Sequence, residues 1–223
     1  MNTSLANTAR LLGAGLRALL VLTVVTGIVY PLAVTGIAQG LFAGKANGSE
    51  VESHGKVVGS SLIGQAYNLP LKEGQETPEP DLKWFQGRPQ NGLGTNSVNT
   101  QYQLILSGAT NRAADNAELI QWIKDAKAAV VKDNSVPGHP VNPADVPADA
   151  VTSSGSGLDP AISPKYADLQ VHRVAERNGL PADRVQKLVD EHTEGRTLGF
   201  MGEPRVNVLE LNTALKDLAA SAR

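Results

Sequence analysis

Residues 18–44 read ALLVLTVVTGIVYPLAVTGIAQGLFAG and contain no charged side chain. As an α-helix, this stretch would be about 40 Å long, whereas the hydrocarbon core of a bilayer is about 30 Å thick. It therefore predicts a membrane-spanning helix that either tilts or leaves its Gln39 end in the interface. Pro31 lies in the middle of the stretch, where its missing N–H group predicts a kink.

Three glycines follow Pro31 at intervals of four residues. Gly36, Gly40 and Gly44 have the small-xxx-small spacing that allows two helices to approach closely in lipid. We therefore expect these glycines, together with the bend at Pro31, to form a contact surface for another membrane helix. The alternative is that the glycines belong to loose backbone at the membrane interface.

A cleaved signal peptide is the competing interpretation of the N-terminal segment. Arg10 and Arg17 would be its charged region, and Gly36-Ile37-Ala38 offers a cleavage site that would leave Gln39 as the new N-terminus. The apolar run is nearly twice as long as an ordinary signal-peptide core, which favours a retained anchor. The short N-terminal tail favours a cytoplasmic N-terminus, with the large C-terminal part outside.

The rest of the chain predicts one small α+β domain, with strands early and helices late. β-branched residues between glycines in Gly55–Gln65 predict one or two short strands. Four prolines in Asn134–Ala150 predict an extended connection without regular structure. Periodicity and capping residues predict four helices. The first two are Ala113–Asp133, with Asp115 as N-cap, and Ser163–Asn178, with Pro164 in the first turn. The third is Pro181–His192, and the fourth begins at Asn207, where Glu210 completes a capping-box pattern.

Apolar spacing also predicts which helical faces are buried. In the second helix that face is Leu169, His172, Val174 and Ala175, and in the last helix it is Val208, Leu211, Leu215 and Leu218. The predicted organisation is a single N-terminal transmembrane helix followed by one small extracytoplasmic domain. Its limits are a cytoplasmic tail at 1–17, the transmembrane helix at 18–44 and the extracytoplasmic α+β domain at 45–223.

Composition and motifs argue against several function classes. The net charge of −2 argues against nucleic-acid binding, and the absence of cysteine excludes thiolate chemistry. No histidine has another at i+3 or i+4, so no metal site is predicted. The stretch closest to a phosphate-binding loop, Gly40–Ala46, is one residue short and lacks its Ser or Thr. We therefore predict no catalytic residue, no metal ligand and no cofactor.

Two polar segments have the composition of structured loops or docking surfaces. Val151–Pro160 reads VTSSGSGLDP, and His192–Val208 contains HTEGR and GEPRVNV. Within the first, Ser154–Gly157 is a fragment of the GxSxG nucleophile motif, but the leading glycine is missing and a Gly/Ser turn is the better interpretation. Each segment is expected to pin loops to the domain's own helices, to dock a partner, or to do both.

Several stretches resemble one known family, the C subunits of the Kdp-type potassium-transporting ATPase of bacteria and archaea. They are Tyr30-Pro31-Leu32 with Thr35-Gly36, Gly59–Gln65 (GSSLIGQ), Phe85–Pro89 (FQGRP), Ser154–Pro160 followed by Ile162-Ser163-Pro164, and His192–Asn212 (HTEGRTLGFMGEPRVNVLELN). The sequence departs from the family pattern at Gln90, where Ser is usual, and at Ala161, where His is usual. A third departure is Ser107–Asn111, which retains only part of a Ser-Gly-Gly-Ser-Asn stretch.

The resemblance implies a non-catalytic accessory subunit of a high-affinity, ATP-driven potassium uptake complex in the cell membrane. Its implied partners are a channel-like potassium-translocating subunit, a P-type catalytic subunit, a small stabilising subunit and membrane lipid. The family is also associated with ATP binding and with a raised ATP affinity of the pump. With the domain outside the cell, that effect would pass through the membrane helices as a coupling free energy.

The residues expected to dock a partner or to shape the loops are Arg88, Ser156, Asp159, His192, Glu194, Arg196, Glu203, Arg205 and Asn207. Two other functions fit the composition and motifs without the resemblance. One is a stand-alone, membrane-tethered solute-binding domain. The other is a secreted hydrolase that begins at Gln39 after cleavage.

Overall fold

The computed structural model describes residues 3–75, 77–91, 93–95 and 105–222. The chain divides into two compact units, Met1–Glu50 and Val51–Arg223. We describe each unit by itself.

The first unit is almost entirely helical. It contains α1 (Thr3–Val24), a π-helical turn (Val25–Val29), α2 (Tyr30–Leu41) and the short α3 (Ala43–Ala46). Within the described residues, one helical span, Ser4–Leu41, is long and apolar enough to cross a membrane by length and composition. Its large apolar side chains are exposed within the chain, as the surface of a lone membrane helix would be.

Pro31 is accommodated by the π-helical turn directly before it. A proline inside an α-helix cannot donate a hydrogen bond, and its ring crowds the carbonyl group four residues earlier. Here the Tyr30 N–H donates to the carbonyl oxygen of Val25, five residues back, so the backbone is locally wider. The predicted disturbance at Pro31 therefore takes the form of a π turn, and the kink angle stays a prediction.

The three glycines of the predicted contact surface, Gly36, Gly40 and Gly44, do not lie on one helix. The helix breaks at Phe42, whose φ is −138° and ψ is 42°. Gly36 and Gly40 lie four residues apart on α2, whereas Gly44 lies in α3. Therefore only Gly36 and Gly40 keep the four-residue spacing on a single helix that the predicted contact surface needs.

The second unit combines helices with small sheets, as the sequence predicts. Its strands are β1 (Glu50–Ser53), β2 (Lys56–Ser60), β3 (Gly94–Thr95), β4 (Ile105–Leu106), β5 (Ala161–Ile162), β6 (Thr193–Glu194) and β7 (Arg205–Asn207). Its helices are α4 (Ala117–Asn134), α5 (Pro164–Asn178), α6 (Ala182–Glu191) and α7 (Val208–Ser221). β1 pairs with β2, β3 pairs with β4, and β7 lies between β5 and β6. The predicted order, with strands early and helices late, is wrong, because the strands Ala161–Ile162, Thr193–Glu194 and Arg205–Asn207 lie among the later helices.

Most of the predicted helix ends are confirmed, because capping is a local interaction. The Ser163 side chain accepts from the Tyr166 N–H with Pro164 in the first turn, and Gly179 ends α5 in the left-handed conformation. Asn207 caps α7 by accepting from the N–H groups of Leu209 and Glu210.

Two local predictions are wrong. The N-cap of α4 is Asn116, not Asp115, and the helix begins at Ala117. The proline-rich connection also contains regular structure, in the form of 3₁₀ turns at Pro143–Asp145 and Ala148–Ala150. Proline is compatible with the first position of such a turn, because no N–H is needed there.

The apolar core of the second unit lies between α5, α6, α7 and β7. Its fully buried members include Phe85, Val174, Val185, Val206 and Leu215. The face predicted for α7 is confirmed, with Leu218 partly buried.

The face predicted for α5 is correct only in part. Val174 and Ala175 are buried, but Leu169 and His172 are only partly buried. Gln170 and Arg173, which the apolar pattern places outside, are completely buried instead.

The buried guanidinium of Arg173 is surrounded by hydrogen-bond acceptors. It donates to Asn134 Oδ1 at 2.8 Å, to Gln170 Oε1 at 2.7 Å, and to the carbonyl oxygens of Leu82 and Trp84. Burial lowers the pKa of Arg173 to about 10, so the group remains charged at neutral pH. A buried charge is tolerated only when it is satisfied in this way.

Two side-chain amides hold the neighbouring backbone, and we call Gln170 and Asn212 the amide clamp. Asn212 Oδ1 accepts from the Phe85 N–H and Asn212 Nδ2 donates to the Phe85 carbonyl, both at 2.9 Å. Gln170 makes the same pair of bonds to Gln86, at 2.7 and 3.0 Å. Consecutive residues are thus held by two different helices, in the way that a strand is held by its neighbours.

We expect Arg173→Met to destabilise the second unit by about 3–5 kcal/mol, because it leaves several buried oxygen atoms without a donor. The measurement is urea unfolding of the full-length protein in detergent, followed by the fluorescence of Trp84 and Trp122, the two tryptophans of the chain. Arg177→Met, on the exposed face of the same helix, is the control and should have little effect. Equal stability of the two variants would contradict the role of the network.

Candidate functional site

Arg88 and Asp159 form the centre of a first polar cluster, which consists of the Val151–Pro160 segment together with Arg88. Arg88 Nη1 lies 3.0 Å from Asp159 Oδ2, and the two side chains are 24% and 31% exposed. The guanidinium also donates to the carbonyl oxygens of Thr152 and Ser153, both at 3.3 Å. Arg88 follows the clamped Gln86 by two residues, so the amide clamp fixes where this ion pair forms.

The loop that carries Asp159 is packed closely against Gly64. The Gly64 N–H donates to the Leu158 carbonyl at 2.8 Å. A Cβ atom at Gly64 would lie 2.5 Å from the Asp159 carbonyl oxygen, closer than such contacts occur. Asp159 Oδ1 accepts from the Ala161 N–H, which fixes the carboxylate where it meets Arg88. Glycine is therefore needed at 64 because the two backbones touch.

Ser156 has a structural environment. Its Oγ accepts from the Leu158 N–H at 3.1 Å, and its carbonyl oxygen accepts from the Ser107 hydroxyl at 2.9 Å. Gly157 adopts a left-handed conformation with φ of 68°. The hydroxyl of Ser156 thus contributes to a turn, as the sequence predicts for this Gly/Ser segment.

The second polar cluster is the His192–Val208 segment. Its charged residues pair with each other across the β6–β7 hairpin. Arg205 Nε donates to Glu194 Oε2 at 2.9 Å, and Arg196 Nη2 donates to Glu203 Oε2 at 2.7 Å. β6 and β7 are antiparallel, with Glu194 opposite Arg205, so these are cross-strand partners. All four side chains are largely exposed, so each pair contributes little to stability.

His192 and Asn207 hold the two ends of this hairpin. His192 Nδ1 donates to the Leu188 carbonyl at 2.8 Å, a second hydrogen bond to an oxygen that already accepts from the His192 N–H at the end of α6. Asn207 Oδ1 caps α7, and Asn207 Nδ2 donates to the Ser61 carbonyl at 2.8 Å. Each residue therefore joins the hairpin to a helix.

The two polar clusters meet at one groove. β5 pairs with β7, with Ala161 opposite Asn207, and the Val208 N–H donates to the Pro160 carbonyl. A groove of about 320 Å³ is formed there by both clusters; its walls include Asp159, Glu194, Arg205, Asn207 and Glu210. The sequence predicts the two clusters separately, and the three-stranded sheet brings them together.

The tip of the β6–β7 hairpin exposes three large apolar side chains that sequence reasoning missed. Leu198 is 78% exposed, Phe200 is 71% exposed and Met201 is 45% exposed. The signal in the sequence was an apolar pattern between Gly195 and Gly202, without a neighbouring core segment.

A pair of histidines stacks outside these clusters. The rings of His139 and His172 lie 3.6 Å apart between centroids, with 12° between their planes. Burial lowers the pKa of His172, and the neighbouring His139 lowers it further. Stacking of this kind favours neutral rings, because two imidazolium groups would repel each other.

A larger cavity of about 490 Å³ lies beside the Arg173 network. Its walls include Asn68, Gln86, Asp133, Tyr166 and Arg173. Burial raises the pKa of Tyr166 to about 12, so its hydroxyl stays protonated at neutral pH. Within the described parts of the chain, no three His, Asp or Glu side chains are grouped as a metal site requires.

Comparison with known proteins identifies the family. The family described as "K+-transporting ATPase, c chain" matches residues 12–217. The chain belongs to this family of C subunits.

The relatives of this C subunit match over nearly their whole length. The potassium-transporting ATPase KdpC subunit of Streptomyces coelicolor is 82% identical over 220 residues, covering 99% of this chain and 98% of the relative. The KdpC subunit of Streptomyces avermitilis is 80% identical, with 100% of both chains covered. That of Caldanaerobacter subterraneus is 47% identical, covering 88% of this chain and 89% of the relative. The resemblance predicted from the sequence is therefore confirmed, and the chain is a subunit of a potassium-transporting ATPase complex.

We expect Gly64→Ala to destabilise this C subunit by about 1–3 kcal/mol, because the new Cβ overlaps the Asp159 carbonyl oxygen. Gly155→Ala is the control in the loop that carries Asp159, since a Cβ there meets no other atom within 4 Å apart from its chain neighbours. That variant should change the free energy of unfolding by less than about 1 kcal/mol. Urea unfolding followed by tryptophan fluorescence measures both, and an unchanged Gly64→Ala protein would contradict the close contact.

The His139–His172 stack makes stability depend on pH. Since the pKa of His172 is lower in the folded than in the unfolded state, the unfolded state binds the proton more readily. The free energy of unfolding should therefore fall as the pH drops below about 6.5. His172→Phe keeps the stack without the titrating group, so its urea midpoint should change less than that of the wild type between pH 7.5 and 5. Parallel pH profiles would contradict this origin.

Proposed function

We propose that this C subunit is a non-catalytic accessory subunit of an ATP-driven potassium uptake complex, required for its assembly. The match to the C-subunit family over nearly the whole chain carries the proposal. The N-terminus would lie in the cytoplasm, the Ser4–Leu41 helix would cross the cell membrane, and the α+β domain would lie outside. The boundaries expected from the sequence, 1–17, 18–44 and 45–223, are part of the same proposal.

The environments of the polar residues support a non-catalytic role. The Ser156 hydroxyl accepts from the backbone of its own turn, and the His192 ring donates within its own helix. A nucleophile instead needs a neighbouring general base, oriented by a third group. Catalysis would then belong to the P-type partner subunit.

The proposed partners are the channel-like subunit, the P-type catalytic subunit and the small stabilising subunit of the complex. The domain would cap the extracellular potassium entrance. Residues 45–223 hold 18 basic and 22 acidic side chains, because Arg10 and Arg17 are the only charged residues before them. Their net charge of −4 enriches cations only nearby, since salt screens it beyond about 8–10 Å.

Membrane helix packing is the proposed link between this subunit and the pump. Gly36 and Gly40 leave space beside α2, since a Cβ at either position meets no atom within 4 Å apart from its chain neighbours and the helix's own backbone. A partner helix could approach closely along this face. Any effect on the ATP affinity of the catalytic subunit would be transmitted through these helices as a coupling free energy.

The polar loop residues are proposed to shape the domain that the partners meet. Arg88, Asp159 and Ser156 hold the first loop, while Glu194, Arg205, Arg196 and Glu203 pair across the hairpin. Their charges are already used within the chain. These paired residues of the β6–β7 hairpin therefore hold the docking surface in shape and do not themselves form it.

The test is co-purification of the tagged, full-length protein from detergent-solubilised native membranes, with mass spectrometry of the bound proteins. We expect a P-type ATPase and a channel-like subunit in comparable amounts. Gly36→Leu with Gly40→Leu should lower their recovery at least tenfold, because the added side chains fill the helix contact. Gly13→Leu, also in the N-terminal helical unit, is the matched control and should retain the partners.

Recovery of the protein alone would overturn the proposed function. A recovered form that begins at Gln39 would show cleavage and would overturn the membrane anchor as well. The stand-alone solute-binding alternative would then be examined by ligand screens.

A further inference from the structure

We propose that the apolar tip of the β6–β7 hairpin docks this subunit on another protein subunit of the same complex. The tip consists of Leu198, Phe200 and Met201. The inference rests on the proposed function, because it names the surface through which the accessory domain meets its partner. The apolar residues of the hairpin, and not its charged ones, then make the contact.

Exposure is the first observation. Leu198 and Phe200 keep 78% and 71% of their surface accessible, and Met201 keeps 45%. Single exposed apolar side chains are ordinary, but three within four residues form a local patch. Aromatic residues and methionine are enriched in the centres of protein interfaces, where they fill pockets on the partner. The tip has this composition.

The tip is also held in one shape before any partner binds. The Thr197 N–H donates to the Met201 carbonyl at 2.9 Å, and the Met201 N–H donates to the Thr197 carbonyl at 3.0 Å. Leu198 has a φ of 54°, a left-handed conformation that leucine rarely adopts. A surface that is ordered in advance loses less conformational entropy on binding. The tip therefore has the geometry of a preorganised contact.

Charge distinguishes a protein partner from a lipid surface. Residues 193–207 contain four charged side chains, and they form the pairs Arg196–Glu203 and Arg205–Glu194. Segments that insert into anionic membranes combine apolar residues with surplus Lys or Arg for the headgroups. This hairpin has no surplus charge. It instead has an apolar centre with a neutralised polar rim, the arrangement of a protein interface.

The partner is therefore a polypeptide with an apolar pocket on its extracytoplasmic face. Membership of the C-subunit family places this chain in a potassium-transporting ATPase complex, so the pocket belongs to another subunit of that complex. Gly195, Gly199 and Gly202 add no side chains around the tip, which suits insertion into a pocket.

The test compares tip variants in the full-length complex in native membranes. Leu198→Ser with Phe200→Ser should lower the recovery of the partner subunits at least tenfold, while Phe200→Trp should retain them. Leu71→Ser is the matched control, because Leu71 is 57% exposed in a different loop. Urea unfolding by tryptophan fluorescence should show the same domain stability in all four proteins, since the altered side chains are exposed.

A photoreactive phenylalanine analogue at position 200 then identifies what the tip touches. A crosslink to another subunit of the complex supports the proposal, whereas a crosslink to lipid overturns it. Retention of the partners by the Leu198→Ser, Phe200→Ser protein, with loss in the Gly36→Leu, Gly40→Leu protein, also overturns it while the proposed function stands. If the wild type recovers no partner, the proposed function and the docking surface both fail.

Discussion

The buried guanidinium of Arg173 is the constraint on which the organisation of the second unit depends. A charge in an apolar core needs acceptors from its own chain, and it obtains them from α4, α5 and the Leu82–Trp84 backbone. The amide clamp continues this network to Phe85 and Gln86. An irregular segment thereby has both backbone groups of Phe85 and Gln86 hydrogen-bonded, and Arg88 follows it to meet Asp159.

Charged and apolar side chains have different roles in the two polar clusters. Charged groups pair within the chain, where they set the shape of a loop and a hairpin at small net energy. The apolar side chains at the hairpin tip stay exposed within the chain, and in the proposed contact their burial would supply most of the free energy of association. A sheet of only three short strands joins the clusters at one groove.

Two local features shape the N-terminal helical span. Pro31 widens the helix into a π turn, and Gly36 and Gly40 leave one side of α2 bare. Both features are compatible with close packing in lipid, where small residues allow helices to approach. In the proposed topology, any influence on a nucleotide site in the cytoplasm would pass through differential contacts of this helix.

The sequence by itself determined the apolar helix, the α+β class, the caps at Ser163 and Asn207, and the family. These depend on composition or on hydrogen bonds within a few residues. Only the tertiary structure decided that Gln170 and Arg173 are buried, because their backbone partners lie 84 to 91 residues away and periodicity assigns polar residues to the surface. For the same reason, the pairing of Arg88 with Asp159, 71 residues away, and the exposure of Phe200 followed from packing and not from the local pattern.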